Sequence, residues 1–217
     1  MLAVLIDPNK QDAYTSLLPY LHEVNLIFVG GSTGQSIEPC IVSIRQYTQA
    51  PIVLFPGNIA QFSPNADALL FLSLLNAHTA DMLITPHIQI AQQVIQSGIE
   101  SIPMGYILID GEHKSSVEIV SNCTPIPQHN IEKIISTALA GQLLGKQLIY
   151  LEAGSGAQKP VSTDIIHAVH QQLHVPLIVG GGIRTPQAMI QAFDAGADIV
   201  VIGNHFEQYP QQLPLFI

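Results

Sequence analysis

Three short glycine-rich stretches lie in the last third of the chain, and each directly follows an apolar run. They are Gly154-Ser155-Gly156, Gly180-Gly181-Gly182 and Gly203-Asn204. Glycine lets backbone N–H groups approach an anion closely, and the N-terminus of a following helix adds its dipole. Tight turns between strands and helices would also explain glycine at these positions. The same composition at three places nevertheless favours one phosphate-binding site.

Glu152 stands between the apolar run at residues 148–151 and the first glycine-rich stretch. A carboxylate at the edge of an apolar interior can act as a general base toward a hydroxyl group, because burial raises its pKa. An ion pair with Arg184 or Lys159, which would only stabilise the rim, is the alternative. The residue types alone leave both interpretations open.

Asp7 and Ser32 each follow an apolar run near the start of the chain and offer hard oxygen ligands. They are too few for a complete protein cage. Mg²⁺, however, is commonly held by one or two carboxylates while substrate phosphates supply the remaining ligands. The competing interpretation is that Asp7 caps a helix that begins after Pro8.

Eight short apolar runs position these residues along the chain. They begin near Leu2, Leu26, Ile52, Ala68, Met104, Gln147, Pro176 and Ile199. Their alternation with helical patterns predicts an α/β fold, a closed (β/α)8 barrel with its active site where the strands end. The length of 217 residues fits a single domain over residues 1–217.

Three connections in this pattern are irregular. The stretch between Phe55 and Ala68 is too short for a full barrel helix with two turns, so we expect the third helix to be missing or altered. Residues 110–130 form a long stretch without a clear element, which we interpret as a candidate lid. Only residues 204–217 follow the last run, so we expect a truncated eighth helix and, as a consequence, a homo-oligomer.

The composition excludes several classes of protein. A net charge of −9 with only 7 Lys and Arg residues argues against a nucleic-acid-binding protein. No apolar run approaches the roughly 20 residues that span a bilayer, and the first residues reach Asp7 without a basic region, so we expect no signal peptide. Cys40 and Cys123 have neither metal-ligand nor redox spacing, which is typical of reduced thiols in a cytoplasmic protein.

The combination of these motifs resembles one known family, the geranylgeranylglyceryl phosphate synthases, which include the bacterial heptaprenylglyceryl phosphate synthases. The specific stretch is YLEAGSGA at residues 150–157, followed by VGGGIR at 179–184 and GN at 203–204. The resemblance extends to LIDPNK at 5–10, VGGS at 29–32 and IPMGYI at 102–107, and so covers nearly the whole chain.

The resemblance implies a modified TIM barrel with an altered third helix and a Mg²⁺-dependent prenyl transfer. In this reaction the sn-3 hydroxyl of sn-glycerol 1-phosphate displaces diphosphate from a long polyprenyl diphosphate, with geranylgeranyl diphosphate as the expected donor. Asp7 and Ser32 would contact Mg²⁺, and Glu152 would be the base. The residues that would bind glycerol phosphate are Tyr150, Leu151, Glu152, Ala153, Gly154, Ser155, Gly156, Gly181, Gly182, Gly203 and Asn204.

One position departs from the family pattern. Leu5 stands where some members have a lysine, which puts one phosphate contact in doubt, and Lys10 or Lys159 could take over that contact. The lipid-like tail of the donor fits a transient contact with a membrane surface, although no basic amphipathic helix predicts it. A phosphosugar isomerase or aldolase-like barrel and a catalytically silent regulatory barrel are the rival interpretations. The isomerase or aldolase interpretation would need a lysine at a strand end, and no predicted strand of this chain ends in lysine.

Overall fold

Eight parallel strands, hydrogen-bonded to one another in sequence order, form a closed barrel. The structure is a computed structural model that describes residue 1 to residue 217 except Ser32, Thr33 and Gln35. The strands are β1 (Leu2–Ile6), β2 (Ile27–Val29), β3 (Ile52–Leu54), β4 (Ala68–Leu74), β5 (Glu100–Leu108), β6 (Leu148–Glu152), β7 (Leu177–Gly180) and β8 (Ile199–Ile202). Each of the eight apolar runs contains one strand, and the predicted (β/α)8 class is confirmed.

The described residues also form α-helices that alternate with most of the strands. They are α1 (Gln11–Leu17), α2 (Glu38–Arg45), α3 (Thr85–Ser97), α4 (Ser116–Ser121), α5 (Ile131–Leu143), α6 (Thr163–His170), α7 (Pro186–Asp194) and α8 (Asn204–Gln208). Short 3-10 helices cover Leu18–Glu23, Ala80–Met82 and Pro210–Leu215. None of these helices is long and apolar enough to cross a membrane. Helix α8 has only five residues, so the expected truncation of the eighth helix is confirmed.

Side-chain caps begin the three helices that the sequence marks most clearly. The side chains of Asn130, Ser162 and Thr185 each accept a hydrogen bond from the backbone N–H three residues later. Such caps satisfy amide groups that have no partner inside the first helical turn. Asn130, Ser162 and Thr185 are therefore the N-caps of α5, α6 and α7.

No helix connects β3 to β4, and residues 55–67 are all described. Polar side chains hold this connection instead. Ser63 is buried and donates a hydrogen bond to Glu38 of α2, and the Asn65 amide donates to the other Glu38 oxygen at 2.5 Å. Asp67 accepts hydrogen bonds from the Ile52 backbone and from Arg45, each at 2.6 Å. The altered third helix is thus confirmed, and a hydrogen-bonded loop replaces it.

The strands β2, β3 and β7 are buried along their whole length. This burial explains their continuous apolar sequence, because parallel strands are covered on both faces. Polar residues at the ends of such apolar strands therefore stand out in the sequence. Glu152, the last residue of β6, is one of them.

The chain divides into two compact units. The first consists of Met1–Leu70, Pro86–Ile102 and Ile202–Ile217, and the second of Phe71–Thr85 and Pro103–Val201. Asp7, Gly203 and Asn204 belong to the first unit, whereas residues 150–156, Gly181 and Gly182 belong to the second. The single domain over residues 1–217 stays a prediction.

Candidate active site

Glu152 is the last residue of β6 and is fixed by its backbone on both sides. It pairs in register with Leu108 of β5 and Gly180 of β7. Its carbonyl accepts a hydrogen bond from the Ile109 N–H at 2.8 Å, and the next residue, Ala153, donates to the Gly180 carbonyl at 3.0 Å. The strand ladder therefore sets the place of the Glu152 side chain, which is only 7% exposed.

The Glu152 carboxyl group has two polar partners within its own segment. Oε1 accepts from the Gly154 N–H at 2.7 Å, and the buried Tyr150 hydroxyl interacts electrostatically with the same carboxyl group. Tyr150 and Glu152 lie two residues apart and so share one face of β6. Burial raises the pKa of Glu152 above its usual value, although both interactions lower it. A buried carboxyl group with a raised pKa suits proton transfer.

The rival interpretation of Glu152, an ion pair at the rim, is not what the structure shows. Arg184 instead donates to two backbone carbonyls, those of Ala157 at 2.6 Å and Gly182 at 3.4 Å. Lys159 pairs with Glu112, with 3.4 Å between Nζ and Oε1, and both side chains are more than half exposed. Arg184 therefore ties together the loops that follow β6 and β7.

Two glycines at the end of β7 leave space for the Glu152 carboxyl group. A Cβ atom on Gly180 would lie 2.1 Å from the Tyr150 hydroxyl oxygen and 3.0 Å from Glu152 Oε2. A Cβ atom on Gly181 would lie 2.4 Å from Glu152 Oε1, and the φ of Gly181 is +83°, which side chains rarely tolerate. Only glycine fits here. The resemblance assigns a role to Gly181 and none to Gly180, although both belong to the glycine triplet at residues 180–182.

The other predicted residues of this unit have distinct surroundings. Leu151 is buried and, by strand alternation, its side chain lies on the opposite face of β6 from Tyr150 and Glu152. Leu151 can therefore contribute only its backbone to a site beside Glu152. Ala153 and Gly154 are buried, Ser155 is exposed, and Gly156 lies beside the His113 ring. The structure thus brings Tyr150, Glu152 and the two following residues together with Gly181.

Residues 110–130 pack onto the loop that follows β6. The Gly111 carbonyl accepts hydrogen bonds from the backbone N–H groups of Gln158 and Lys159 at 2.9 and 3.1 Å. The Gln128 amide donates to the Pro160 carbonyl at 3.0 Å. The expectation of a stretch without an element is wrong, because it contains α4 and the Ile109–Ile126 bridge. Sequence reasoning also missed Gln128, which joins the two loops and has no motif around it.

Asp7 belongs to the first unit and does not cap a helix. Its Oδ1 accepts hydrogen bonds from the backbone and the side-chain amide of Asn9, each at 3.0 Å. Helix α1 begins later, and its N-cap is Lys10 without a side-chain hydrogen bond. The Asp7 carboxylate lies against Gly31, where a Cβ atom would be 2.7 Å from Oδ1. Ser32, the second predicted Mg²⁺ contact, lies outside the described residues.

The residues around Asp7 fit a cation that a bound phosphate would help to hold. Asp7 is a half-buried carboxylate at a strand end, which is a hard oxygen donor of the kind that Mg²⁺ prefers. Across residues 1–31, 34 and 36–217 there is no group of three His, Cys, Asp or Glu side chains that could hold a metal ion. Asp7 alone could hold a magnesium ion only if the substrate and water supplied the other ligands.

Gly203 and Asn204 connect β8 to α8 in the first unit. A Cβ atom on Gly203 would lie 3.2 Å from the Leu5 carbonyl oxygen and 3.3 Å from the Leu5 Cβ. Asn204 is the first residue of α8, and its Oδ1 accepts a hydrogen bond from Lys10 Nζ at 3.4 Å. Lys10 also forms an ion pair with Glu207, with 2.6 Å between Nζ and Oε2. Leu5 therefore packs against this connection, while Lys10 brings a positive charge to it.

Comparison with known proteins identifies the family of this chain. The PcrB family model matches residues 2–214. The geranylgeranylglyceryl phosphate synthase of Zunongwangia profunda is 48% identical over 212 residues, which cover 95% of this chain and 91% of that protein. The synthase of the same name from Thermococcus kodakarensis is 43% identical over 212 residues, which cover 94% of this chain and 83% of that protein.

Solved structures give the same result. The crystal structure of (S)-3-O-geranylgeranylglyceryl phosphate synthase from Thermoplasma acidophilum, in complex with its substrate sn-glycerol-1-phosphate, superposes with a TM-score of 0.90 at 33% identity. It covers 100% of this chain and 91% of the other. An N-acetylmannosamine-6-phosphate 2-epimerase from Clostridium perfringens, at 11% identity and a TM-score of 0.58, shares the fold alone. With a family model that matches nearly its whole length, the chain belongs to the PcrB family, alongside the geranylgeranylglyceryl phosphate synthases.

Proposed function

We propose that this enzyme, a prenyltransferase of the geranylgeranylglyceryl phosphate synthase type, joins a long polyprenyl chain to sn-glycerol 1-phosphate. The acceptor is its sn-3 hydroxyl, the donor is a polyprenyl diphosphate, with geranylgeranyl diphosphate expected, and diphosphate is released. The observation that carries the proposal is the buried Glu152 carboxyl group, which the end of β6 holds beside Gly181.

Glu152 is the proposed general base. As the acceptor oxygen bonds to the first carbon of the prenyl chain, the bond between that carbon and the diphosphate oxygen breaks. The hydroxyl proton passes to Glu152. Because burial raises the pKa of Glu152, its carboxylate accepts this proton more readily than an exposed one would. The hydrogen bond from the Gly154 N–H keeps the carboxyl group in one orientation.

In the second unit, the phosphate of the acceptor is proposed to bind along the backbone after β6 and β7, at residues 154–156 and Gly181-Gly182. In the first unit, Gly203 and Asn204 are separately proposed as phosphate contacts. Gly182 has a φ of +75°, and a Cβ atom there would lie 3.0 Å from the Pro160 nitrogen. Backbone N–H groups in glycine-rich turns form concave anion sites because no side chain stands in front of them. This support is independent of the role of Glu152.

We propose that Asp7 and Ser32 hold Mg²⁺ together with the diphosphate of the donor. When bound, Mg²⁺ would offset the negative charge that builds up on the leaving oxygens. Asp7 is suited to this role because its carboxylate lies at a strand end beside Gly31. Removal of divalent cations with EDTA should abolish product formation, and Mg²⁺ added in excess should restore it.

We also propose that the chain forms a homo-oligomer and contacts the membrane surface transiently in the cytoplasm. Helix α8 has only five residues, and the exposed side chains of α3 include Ile88 and Ile95, which are 70% and 81% exposed. The cytoplasmic location is supported by the two cysteines, which are both free and buried. Light scattering after size-exclusion chromatography tests the oligomer, and flotation with lipid vesicles tests the membrane contact.

Lipid extraction after incubation with sn-glycerol 1-phosphate, Mg²⁺ and a series of polyprenyl diphosphates tests the reaction. A prenylglyceryl phosphate is expected from the wild type and not from Glu152→Gln. Glu23→Gln is the matched control, since Glu23 is an exposed carboxylate at the end of a 3-10 helix. Absence of product with every donor, from protein that melts cooperatively, would contradict the proposed function.

A further inference from the structure

Asn76 uses its side-chain amide as a partner for backbone groups of the second unit. Its Oδ1 accepts a hydrogen bond from the Leu108 N–H at 3.0 Å. Its Nδ2 donates to the Leu108 carbonyl at 3.2 Å and to the Thr124 carbonyl at 3.0 Å. The amide therefore pairs with both backbone groups of Leu108, as a residue of a neighbouring strand would.

Asn76 stands where β4 ends and β5 continues. The last residue of β4 is Leu74, and the next residue, Leu75, still donates a hydrogen bond to the Tyr106 carbonyl at 2.8 Å. Leu108 lies two residues further along β5 and is buried. A buried backbone N–H group without a partner is costly. The Asn76 oxygen supplies the partner that a further residue of β4 would otherwise provide.

The end of β5 that Asn76 holds also carries Glu152. Leu108 pairs in register with Glu152, and the Ile109 N–H donates to the Glu152 carbonyl at 2.8 Å. The end of β5 therefore lies between Asn76 on one side and Glu152 on the other. Leu108 and Ile109 are consecutive in one strand, so a displacement of Leu108 is passed to Ile109 and from there to the backbone of Glu152.

The segment that leads from α4 to α5 is fastened at the same point. The Cys123 thiol donates to the Asn76 carbonyl at 3.2 Å, and the Thr124 carbonyl accepts from the Asn76 amide. The Ile126 N–H donates to the Leu108 carbonyl at 2.9 Å. Asn76 is thus the common partner of three segments, which are the end of β4, the end of β5 and residues 123–126.

We propose that Asn76 is a positioning residue for Glu152, which holds the end of β5 and, through it, keeps the Glu152 carboxyl group oriented for proton transfer. The proposal rests on the proposed function, in which Glu152 is the base. In the contacts that the structure describes, the Asn76 side chain bonds to backbone groups alone. It therefore acts on Glu152 through β5 and is not itself a catalytic residue.

The alternative is that Asn76 only stabilises the fold, and two matched variants separate the alternatives. Asn76→Leu keeps the branched shape of the side chain and removes its three hydrogen bonds. Gln142→Met removes the 2.7 Å hydrogen bond from the His174 N–H to Gln142 Oε1, which also joins residues of the second unit 32 positions apart. Both variants should lower the Tm, because each leaves backbone groups without their side-chain partner.

The two variants should differ in their kinetics. A misplacement of about 1 Å can cost about 10²-fold in rate, so Asn76→Leu should lower kcat about tenfold or more. The KM for sn-glycerol 1-phosphate should stay within about threefold, because the lost effect concerns the chemical step. Gln142→Met should leave both kinetic constants within about twofold of the wild type.

Carbon-13 NMR titration of the Glu152 carboxyl group tests the proposal without the reaction, and Glu152→Gln identifies the signal. Burial raises the pKa of Glu152, so a looser end of β5 that admits water in Asn76→Leu should lower this pKa toward its ordinary value. Tyr106 of β5 and Tyr150 of β6 interact with the carboxyl group. Burial raises the pKa of both hydroxyl groups well above its usual value, so they stay neutral throughout the titration.

A Glu152 pKa and a kcat in Asn76→Leu equal to those of Gln142→Met would overturn the proposal. Should Asn76→Leu fail to fold, Asn76→Gln decides, since it keeps the amide but displaces it by one methylene group. Its kcat and Glu152 pKa should both fall, and wild-type values would overturn the proposal. If the pKa responds but the wild type forms no lipid, the role of Asn76 stands and the proposed reaction falls. If lipid forms and neither quantity responds, the reaction stands and the role of Asn76 falls.

Discussion

Replacement of Glu152 by glutamine separates the chemistry of the carboxylate from its place in the fold. Glutamine keeps the shape of the side chain, and its carbonyl oxygen can still accept the 2.7 Å hydrogen bond from Gly154. It cannot take up a proton at neutral pH. A general base contributes about 10²- to 10⁴-fold to a rate, so kcat of Glu152→Gln should fall by about that factor. The KM for sn-glycerol 1-phosphate should change little.

The same substitution should stabilise the protein, and the gain should depend on pH. Burial raises the pKa of Glu152, so the folded state holds this proton more tightly than the unfolded state. The stability that the protonated group contributes is present below its usual pKa, about 4.3, and is lost as the pH rises through the raised pKa.

Two measurements check this reasoning. Thermal melts of both proteins between about pH 4.5 and 8.5 should show a Tm advantage of Glu152→Gln that grows with pH and then levels off. Initial rates of the wild type should increase with pH over the same range as the carboxylate forms. Retention of more than a tenth of the wild-type kcat by Glu152→Gln would refute the role of Glu152 as base. A Tm advantage that shrinks as the pH rises would refute the assigned effect of burial.

Three further substitutions test the neighbours of the site. Tyr150→Phe removes an interaction that lowers the pKa of Glu152, so the rising limb of the rate against pH should move to higher pH, and an unmoved midpoint would contradict this. Gln61→Leu removes a fully buried amide oxygen that accepts from two backbone N–H groups at 2.9 and 3.3 Å. Urea denaturation should show a free energy of unfolding lower by about 1 to 3 kcal/mol for each donor left without an acceptor. Gly181→Ala should lower kcat more than tenfold, since its Cβ would lie 2.4 Å from Oε1, whereas Gly145→Ala, with a similar φ of +84° and open space around it, should cost stability only. Equal kcat values for the two alanine variants would contradict this.

Most of the fold could be predicted because its signals are local. Parallel strands covered on both faces appear as apolar runs, and Thr185 before Pro186 marks a helix start with only two residues. Glu152 could be placed at a strand end for the same reason. The absence of a helix between β3 and β4 could be predicted because too few residues lie between Phe55 and Ala68 to form one. In each case the evidence lies within about ten positions of the chain.

The parts that could not be predicted depend on contacts between distant segments. Lys10 and Glu207 are 197 positions apart, and Glu207 belongs to no motif that the sequence analysis used. Gln128 joins two loops by hydrogen bonds to backbone carbonyls. Every residue has a backbone carbonyl, so the sequence does not show which ones Gln128 contacts. The surroundings of Arg184 show the same limit. The charge of Arg184 suggested a carboxylate partner. In the structure Arg184 follows β7 and donates a hydrogen bond to the Ala157 carbonyl instead.

The crowding between Gly180 and Tyr150 constrains how this protein can evolve. An alanine at position 180 collides with the Tyr150 hydroxyl at 2.1 Å, so it is accessible only to a lineage that has already lost that hydroxyl. Loss of the hydroxyl first, however, removes an interaction that lowers the pKa of Glu152, the proposed base. Either order of substitution passes through an impaired enzyme, and the ring carbon Cζ at 2.9 Å keeps even the double change strained. Gly180 and Tyr150 are therefore expected to be conserved together, with strong epistasis between the two positions.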